Sequence, residues 1–84
     1  SDYRLAWAKA IVQVEGKSAE VREANAMLLS LPLYPETESQ PLHIWQRRRR
    51  EAEALRDYKQ EELRSIRASL DALRSLNTNA RAII

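Results

Sequence analysis

The chain has 84 residues, of which 44% are hydrophobic and 31% charged, and its net charge is +2. Its length limits it to one domain with a thin core. The absence of cysteine excludes disulfide frameworks and thiolate metal sites. No apolar run exceeds four residues, far short of a membrane span, and no secretory signal is visible. We therefore expect a cytosolic protein that does not enter a membrane.

The first segment, residues 3–31, has apolar residues at helical spacing. One face repeats every seven residues and carries Trp7, Val14, Val21 and Leu28, with Ala10, Ala24 and Leu31 three residues after three of them. Gly16 interrupts the pattern and can be read in two ways. It ends one helix while Ser18 caps the next, or the helix runs through it. The phase is kept from Val14 to Val21, which favours one continuous helix.

A proline-rich connector, residues 32–37, separates this segment from a second one. Pro32 and Pro35 cannot continue a helix, because proline lacks an N–H and disfavours helix for the preceding residue. Residues 38–76 contain no glycine, and their composition predicts one long helix followed by a frayed tail, residues 77–84. Its apolar seam is clearest at Leu63, Ile66, Leu70 and Leu73. Further back the seam passes through Leu55 and Ala52 to Trp45 and Leu42.

Two long helices joined by a short connector predict an all-α fold, an antiparallel two-helix hairpin of coiled-coil type. Counting outward from the connector places Leu28 near Leu42 and Trp7 near Leu63. Residues 66–76 would then lack a partner within the chain. We therefore expect a homodimer or a protein partner to complete the fold, with Leu63, Ile66, Leu70 and Leu73 as the contact seam.

Four consecutive arginines, Arg47 to Arg50, are the most distinctive local feature. They lie in a basic half, because residues 45–84 carry nine arginines and one lysine against six acidic residues. One interpretation is contact with nucleic-acid phosphates, with Trp45 stacking on a base and Arg56 and Lys59 extending the site. The alternatives are an acidic protein partner, or a solvated surface in which Arg47 pairs with Glu51 and Arg49 with Glu53.

The sequence offers no catalytic or metal-binding set. His43 is the only histidine, and the residues three and four positions away from it are Ser39, Gln40, Gln46 and Arg47. Without a nucleophile, base and orienting group at suitable spacing, acyl transfer and thiol chemistry have no candidates. We therefore expect a non-enzymatic protein without a cofactor, a metal or a small-molecule substrate.

Parts of both helical segments resemble small helical proteins of tailed phages and prophages. The similar stretches are residues 3–6, YRLA, residues 15–24, EGKSAEVREA, and residues 63–76, LRSIRASLDALRSL. The resemblance implies an accessory protein that acts with DNA or with a protein of DNA replication, recombination or defence. It brings no catalytic or binding residues with it. The alternative from the residues themselves is a self-associating structural or assembly protein of the chaperone type.

Overall fold

The computed structural model describes residues 2–32 and 41–83, with side chains as far as Leu76. Two helices make up the fold, α1 at Asp2–Ser30 and α2 at Leu42–Ile83. The all-helical hairpin predicted from the sequence is confirmed. Most of the predicted connector falls within residues 33–40, which lie outside the described residues, as does the predicted start of the second helix at residue 38.

Helix α1 continues through Gly16, as the unbroken spacing from Val14 to Val21 predicts. Glycine costs helix stability through backbone entropy rather than through a clash, so packing on either side can hold it in place. The helix ends before Pro32, which has no N–H to donate. Its last turn is closed by two hydrogen bonds, from Leu31 N–H to Leu28 O at 3.2 Å and from Ser30 Oγ to Met27 O at 2.7 Å.

Helix α2 begins at Leu42 and extends further than the sequence predicts. The carbonyl oxygen of Pro41 accepts hydrogen bonds from the N–H groups of Ile44 and Trp45, at 3.0 and 3.4 Å, and so opens the first turn. The predicted end at residue 76 is wrong, because the helix continues to Ile83. Asn77, Thr78 and Asn79 each lower helix stability by only about 0.5–0.7 kcal/mol relative to alanine. In the absence of a proline or glycine, this loss is too small to end the helix.

The two helices pack antiparallel along one seam. Every seam residue is buried or half-buried, and the positions alternate by four and three residues without interruption. On α1 they are Tyr3, Trp7, Ala10, Val14, Lys17, Val21, Ala24 and Leu28, and Leu31 continues the spacing just after the helix. On α2 they are Trp45, Arg49, Ala52, Arg56, Lys59, Leu63, Ile66, Leu70 and Leu73. The α2 seam therefore passes through Arg56 and Lys59, and not through Leu55 or Leu42, which are 42% and 56% exposed.

The register between the helices differs from the predicted one. Tyr3 Oη donates a hydrogen bond of 2.7 Å to the carbonyl oxygen of Leu73, and the guanidinium of Arg74 lies 5.6 Å from the ring centroid of Trp7. Trp7 is thus not opposite Leu63, and residues 66–76 do have a partner within the chain. The count from the connector took residue 35 as the midpoint between paired positions, whereas the pairs Tyr3–Leu73 and Pro32–Trp45 are centred near residue 38.

The hairpin is long, thin and only lightly buried. Its Cα atoms span 70 × 15 × 14 Å. Among the described residues only Ala10, Ala24, Leu28 and Leu63 form a buried apolar core, and two of these are alanines. The accessible surface is 6780 Å², whereas a compact monomer of 9.7 kDa exposes about 5,100 Å². The fold therefore leaves about a third more surface open than its mass requires.

Candidate nucleic-acid interface

The four consecutive arginines lie in the second and third turns of α2 and point in different directions. Arg47, Arg48 and Arg50 are exposed, whereas Arg49 is half-buried in the seam. Arg49 Nε lies 3.3 Å from Oε1 of Glu53, which confirms one of the two predicted ion pairs. No ion pair joins Arg47 to Glu51. Within the described part of the chain, three of the four guanidinium groups are therefore free to meet an anion.

Trp45 is fixed by the fold rather than presented to a ligand. Its indole Nε1 donates a hydrogen bond of 2.8 Å to the carbonyl oxygen of Pro32, the first residue of the connector. The ring is half-buried at the head of the α2 seam. This contact ties the end of α1 to the start of α2, so the main role of Trp45 in the structure is to close the loop end of the hairpin.

Arg56 and Lys59, the other predicted contacts, already have carboxylate partners. Arg56 donates to Oδ1 of its neighbour Asp57 through Nε at 3.1 Å and through a terminal nitrogen at 3.0 Å. Lys59 Nζ donates to Oε1 of Glu20 at 2.8 Å, across the seam. Both residues occupy seam positions, so their side chains contribute to the hairpin itself. The structure does not join them to Arg47, Arg48 and Arg50 as one basic surface.

A polar belt of four residues, Lys17, Glu20, Lys59 and Glu62, crosses the middle of the seam. Lys17 Nζ lies 2.8 Å from Oε2 of Glu20 and 3.1 Å from Oε2 of Glu62. The hydrogen bond from Lys17, followed by that from Lys59, lowers the pKa of Glu20 to about 2. The carboxylates of Glu20 and then Glu62 raise the pKa of Lys17. Lys17 is therefore held charged between the helices.

The predicted contact seam, Leu63, Ile66, Leu70 and Leu73, faces α1. Leu63 belongs to the buried core at 8% exposure, and the other three side chains are half-buried. The hydrogen bond from Tyr3 to the backbone of Leu73 lies at the end of the same seam. These residues therefore contribute to the hairpin itself, and self-association through them would compete with α1.

A second basic region, which the sequence analysis missed, lies in a groove between the helices. The groove measures about 680 Å³, and its charged lining consists of Arg22 of α1 and of Arg64, Arg67 and Asp71 of α2. Arg64 forms a 2.6 Å ion pair with Glu61 and lowers the pKa of that carboxyl. Arg22 and Arg67 have no ion pair among the described residues. Only the register between the helices brings Arg22 to Arg67, and the sequence alone does not reveal that register.

No metal or buried catalytic group is found in the described residues. They contain no group of three or more histidine, cysteine, aspartate or glutamate side chains able to hold a metal ion. They also contain no buried side-chain nitrogen or oxygen that lacks a hydrogen-bond partner. Neither helix is long and apolar enough, over those residues, to cross a membrane. Comparison of the chain with protein-family models, with curated proteins and with solved structures found no match.

Proposed function

We propose that this hairpin is a non-enzymatic DNA-binding accessory protein that contacts backbone phosphates through Arg47, Arg48 and Arg50. The observation that carries the proposal is the exposure of these three guanidinium groups within four residues, with no carboxylate paired to them in the described part of the chain. Arginine binds phosphate through a planar set of N–H donors and keeps its charge at any physiological pH. Such contacts are sequence-independent and depend strongly on salt.

Arg67, an arginine of the groove, extends the proposed contact with phosphates along the hairpin. Arg67 lies 17 residues after Arg50, which is about 25 Å along α2 and about seven base pairs of B-DNA. Asp57 and Asp71 stand between and beyond these positions, so the positive charge comes in two patches. With only a few phosphate contacts, we expect affinity in the non-specific range, a Kd on the order of 10⁻⁴–10⁻⁶ M at physiological salt.

The biological setting that we propose is a phage or prophage. Residues 15–24 and 63–76 resemble small helical proteins of tailed phages, and this resemblance supports a role beside DNA replication, recombination or defence proteins. The residues that carry the resemblance lie in both helices and away from the arginine cluster. The proposal of a phage setting and the proposal of phosphate contact therefore rest on different observations.

The direct test is fluorescence anisotropy with labelled single- and double-stranded DNA over a salt series. We expect log K to fall linearly with log salt concentration. The triple variant Arg47→Gln/Arg48→Gln/Arg50→Gln should reduce the slope by about 2–3 and abolish most of the binding at low salt. Lysine at the same three positions should retain the slope, because it keeps the charges.

The matched control compares two single variants with the same net charge. Arg48→Gln removes a charge inside the cluster, whereas Arg4→Gln removes one from an exposed position on α1, far from it. Only Arg48→Gln should change the slope, by about one. Equal effects of the two variants would mean that net charge alone attracts DNA. An absence of binding by the wild-type protein at low salt would rule out DNA and leave an acidic protein as the partner.

A further inference from the structure

The outer face of α1 lies opposite the seam and is exposed to water in the hairpin, although most of its side chains are apolar. Its central column repeats every seven residues as Leu5, Val12, Ala19 and Ala26, and the adjacent column as Ala8, Glu15, Arg22 and Leu29. All eight side chains are exposed, with Leu5 at 56%, Val12 at 67% and Leu29 at 84%. Six of the eight side chains are apolar, and a mainly apolar face of this kind on a helix marks a surface that another element covers.

We propose that a second copy of this chain covers this face, with the two α1 helices packed antiparallel to form a four-helix dimer. The first argument is the alternation of the two columns by three and four residues, which is the spacing that a helix-to-helix seam requires. An antiparallel arrangement places Leu5 against Leu29 of the second copy and Ala8 against Ala26 of the second copy. The largest apolar side chains then close both ends of the contact.

The charges on this face fit the antiparallel arrangement. When Leu5 meets Leu29, Glu15 comes within one turn of Arg22 of the second copy, and Lys9 within one turn of Glu23 of the second copy. Two-fold symmetry repeats each pair, which makes four ion pairs between the copies. In a parallel arrangement, Glu15 would instead face Glu15, and Arg22 would face Arg22. The face is therefore complementary to itself in one orientation only.

The size of the face is at the lower limit for a specific dimer. A helix of 29 residues is about 43 Å long. A strip of that length across the roughly 12 Å diameter of one helix covers about 500 Å² per copy, or about 1,000 Å² in total. That total reaches the lower limit of specific interfaces, and the area per copy covers about 30% of the excess surface of the hairpin. The contact engages Arg22 of the groove but leaves Arg47, Arg48 and Arg50 on α2 uncovered.

The first test is the molar mass of the full chain by light scattering and sedimentation equilibrium. We expect twice the chain mass of 9.7 kDa for the wild-type protein at micromolar concentration. Ala19→Glu, which buries a charge in the contact, should weaken the dimer at least 10-fold. The matched control is Ala54→Glu, the same change at an exposed position of α2, which should leave the mass unchanged. Circular dichroism checks that both variants stay helical. A wild-type monomer at all concentrations, or equal effects of the two variants, would overturn the proposal.

A charge exchange tests the pairing of Glu15 with Arg22 of the second copy. Glu15→Arg alone and Arg22→Glu alone should each weaken the dimer about 10-fold or more, because like charges then meet twice across the two-fold axis. The double variant should restore it. If both single variants dimerise as tightly as the wild-type protein, these two residues do not meet and the proposed register is wrong.

Cysteine cross-linking tests the orientation, because the chain contains no cysteine of its own. Gly16 lies near the proposed two-fold axis, so Gly16→Cys should oxidise readily to a disulfide-linked dimer. The two copies of residue 5 lie about 36 Å apart, so Leu5→Cys should not cross-link with itself but should cross-link when mixed with Leu29→Cys. Efficient self-cross-linking of Leu5→Cys would demonstrate a parallel pair and overturn the proposal.

Discussion

Lys59 Nζ and Oε1 of Glu20 lie 2.8 Å apart, although the two residues are 39 positions apart in the sequence. Lys17 joins the same carboxylate from the α1 side and also reaches Glu62 on α2. A sliding shift of one helix against the other would separate these charges within the seam. The polar belt therefore opposes registers that the apolar side chains alone would tolerate.

The belt predicts a loss of stability in acid. The folded chain holds the pKa of Glu20 near 2, against an ordinary value of 4.5, so the folded state binds this proton more weakly than the unfolded state does. The stabilisation is fully present above about pH 4.5 and is lost as the pH falls toward 2. The melting temperature should fall over that window, as followed by circular dichroism.

Substitution of Glu20 should remove part of this pH dependence. Glu20→Gln keeps the shape of the side chain but removes its charge, so the melting temperature should drop at pH 7 and change less between pH 4.5 and 2. Glu51→Gln is the control, because Glu51 is exposed and has no ion pair within the described residues. If Glu20→Gln shows the same dependence of melting temperature on pH as the wild-type protein, the polar belt does not stabilise the fold through this carboxyl.

The sequence reveals each helix more clearly than the way the two helices meet. The spacing of the apolar residues predicts α1 correctly and also predicts the last part of the α2 seam, from Leu63 to Leu73, because apolar residues dominate there. Between Trp45 and Leu63 the seam carries Arg49, Arg56 and Lys59. These residues look like solvent-facing positions until their partners on α1 are known. The register depends on those partners, and so does the groove that contains Arg22 and Arg67.

Leu63 should contribute far more to stability than other leucines of α2. It is 8% exposed, whereas Leu76 on the same helix is 62% exposed. Leu63→Ala removes buried methyl groups and leaves a cavity, so the free energy of unfolding should decrease by about 2–4 kcal/mol. Leu76→Ala should change it by less than about 0.5 kcal/mol. Guanidinium denaturation at one fixed chain concentration measures both. Similar losses would mean that the seam does not have the described register.

Trp45 should affect stability more than DNA affinity. Trp45→Phe keeps an aromatic ring but removes the indole N–H, which leaves the carbonyl oxygen of Pro32 without this donor. We expect a loss of about 1 kcal/mol in the free energy of unfolding. The affinity for DNA should stay within about 2-fold of that of the wild-type protein, because the indole N–H already has a backbone partner. A large fall in affinity with unchanged stability would instead assign Trp45 to base stacking.

Gly16 offers a simple route to a more stable hairpin. It lies in the middle of a continuous helix, and an added Cβ would meet no atom within 4 Å. Gly16→Ala should therefore raise the free energy of unfolding by about 0.5–1 kcal/mol, because alanine has less backbone freedom to lose on folding. Ala54→Gly makes the reverse change at an exposed position inside α2 and should lower it by a similar amount. A lower stability of Gly16→Ala than of the wild-type protein would mean that glycine is needed there, as it would be if α1 bent at this position.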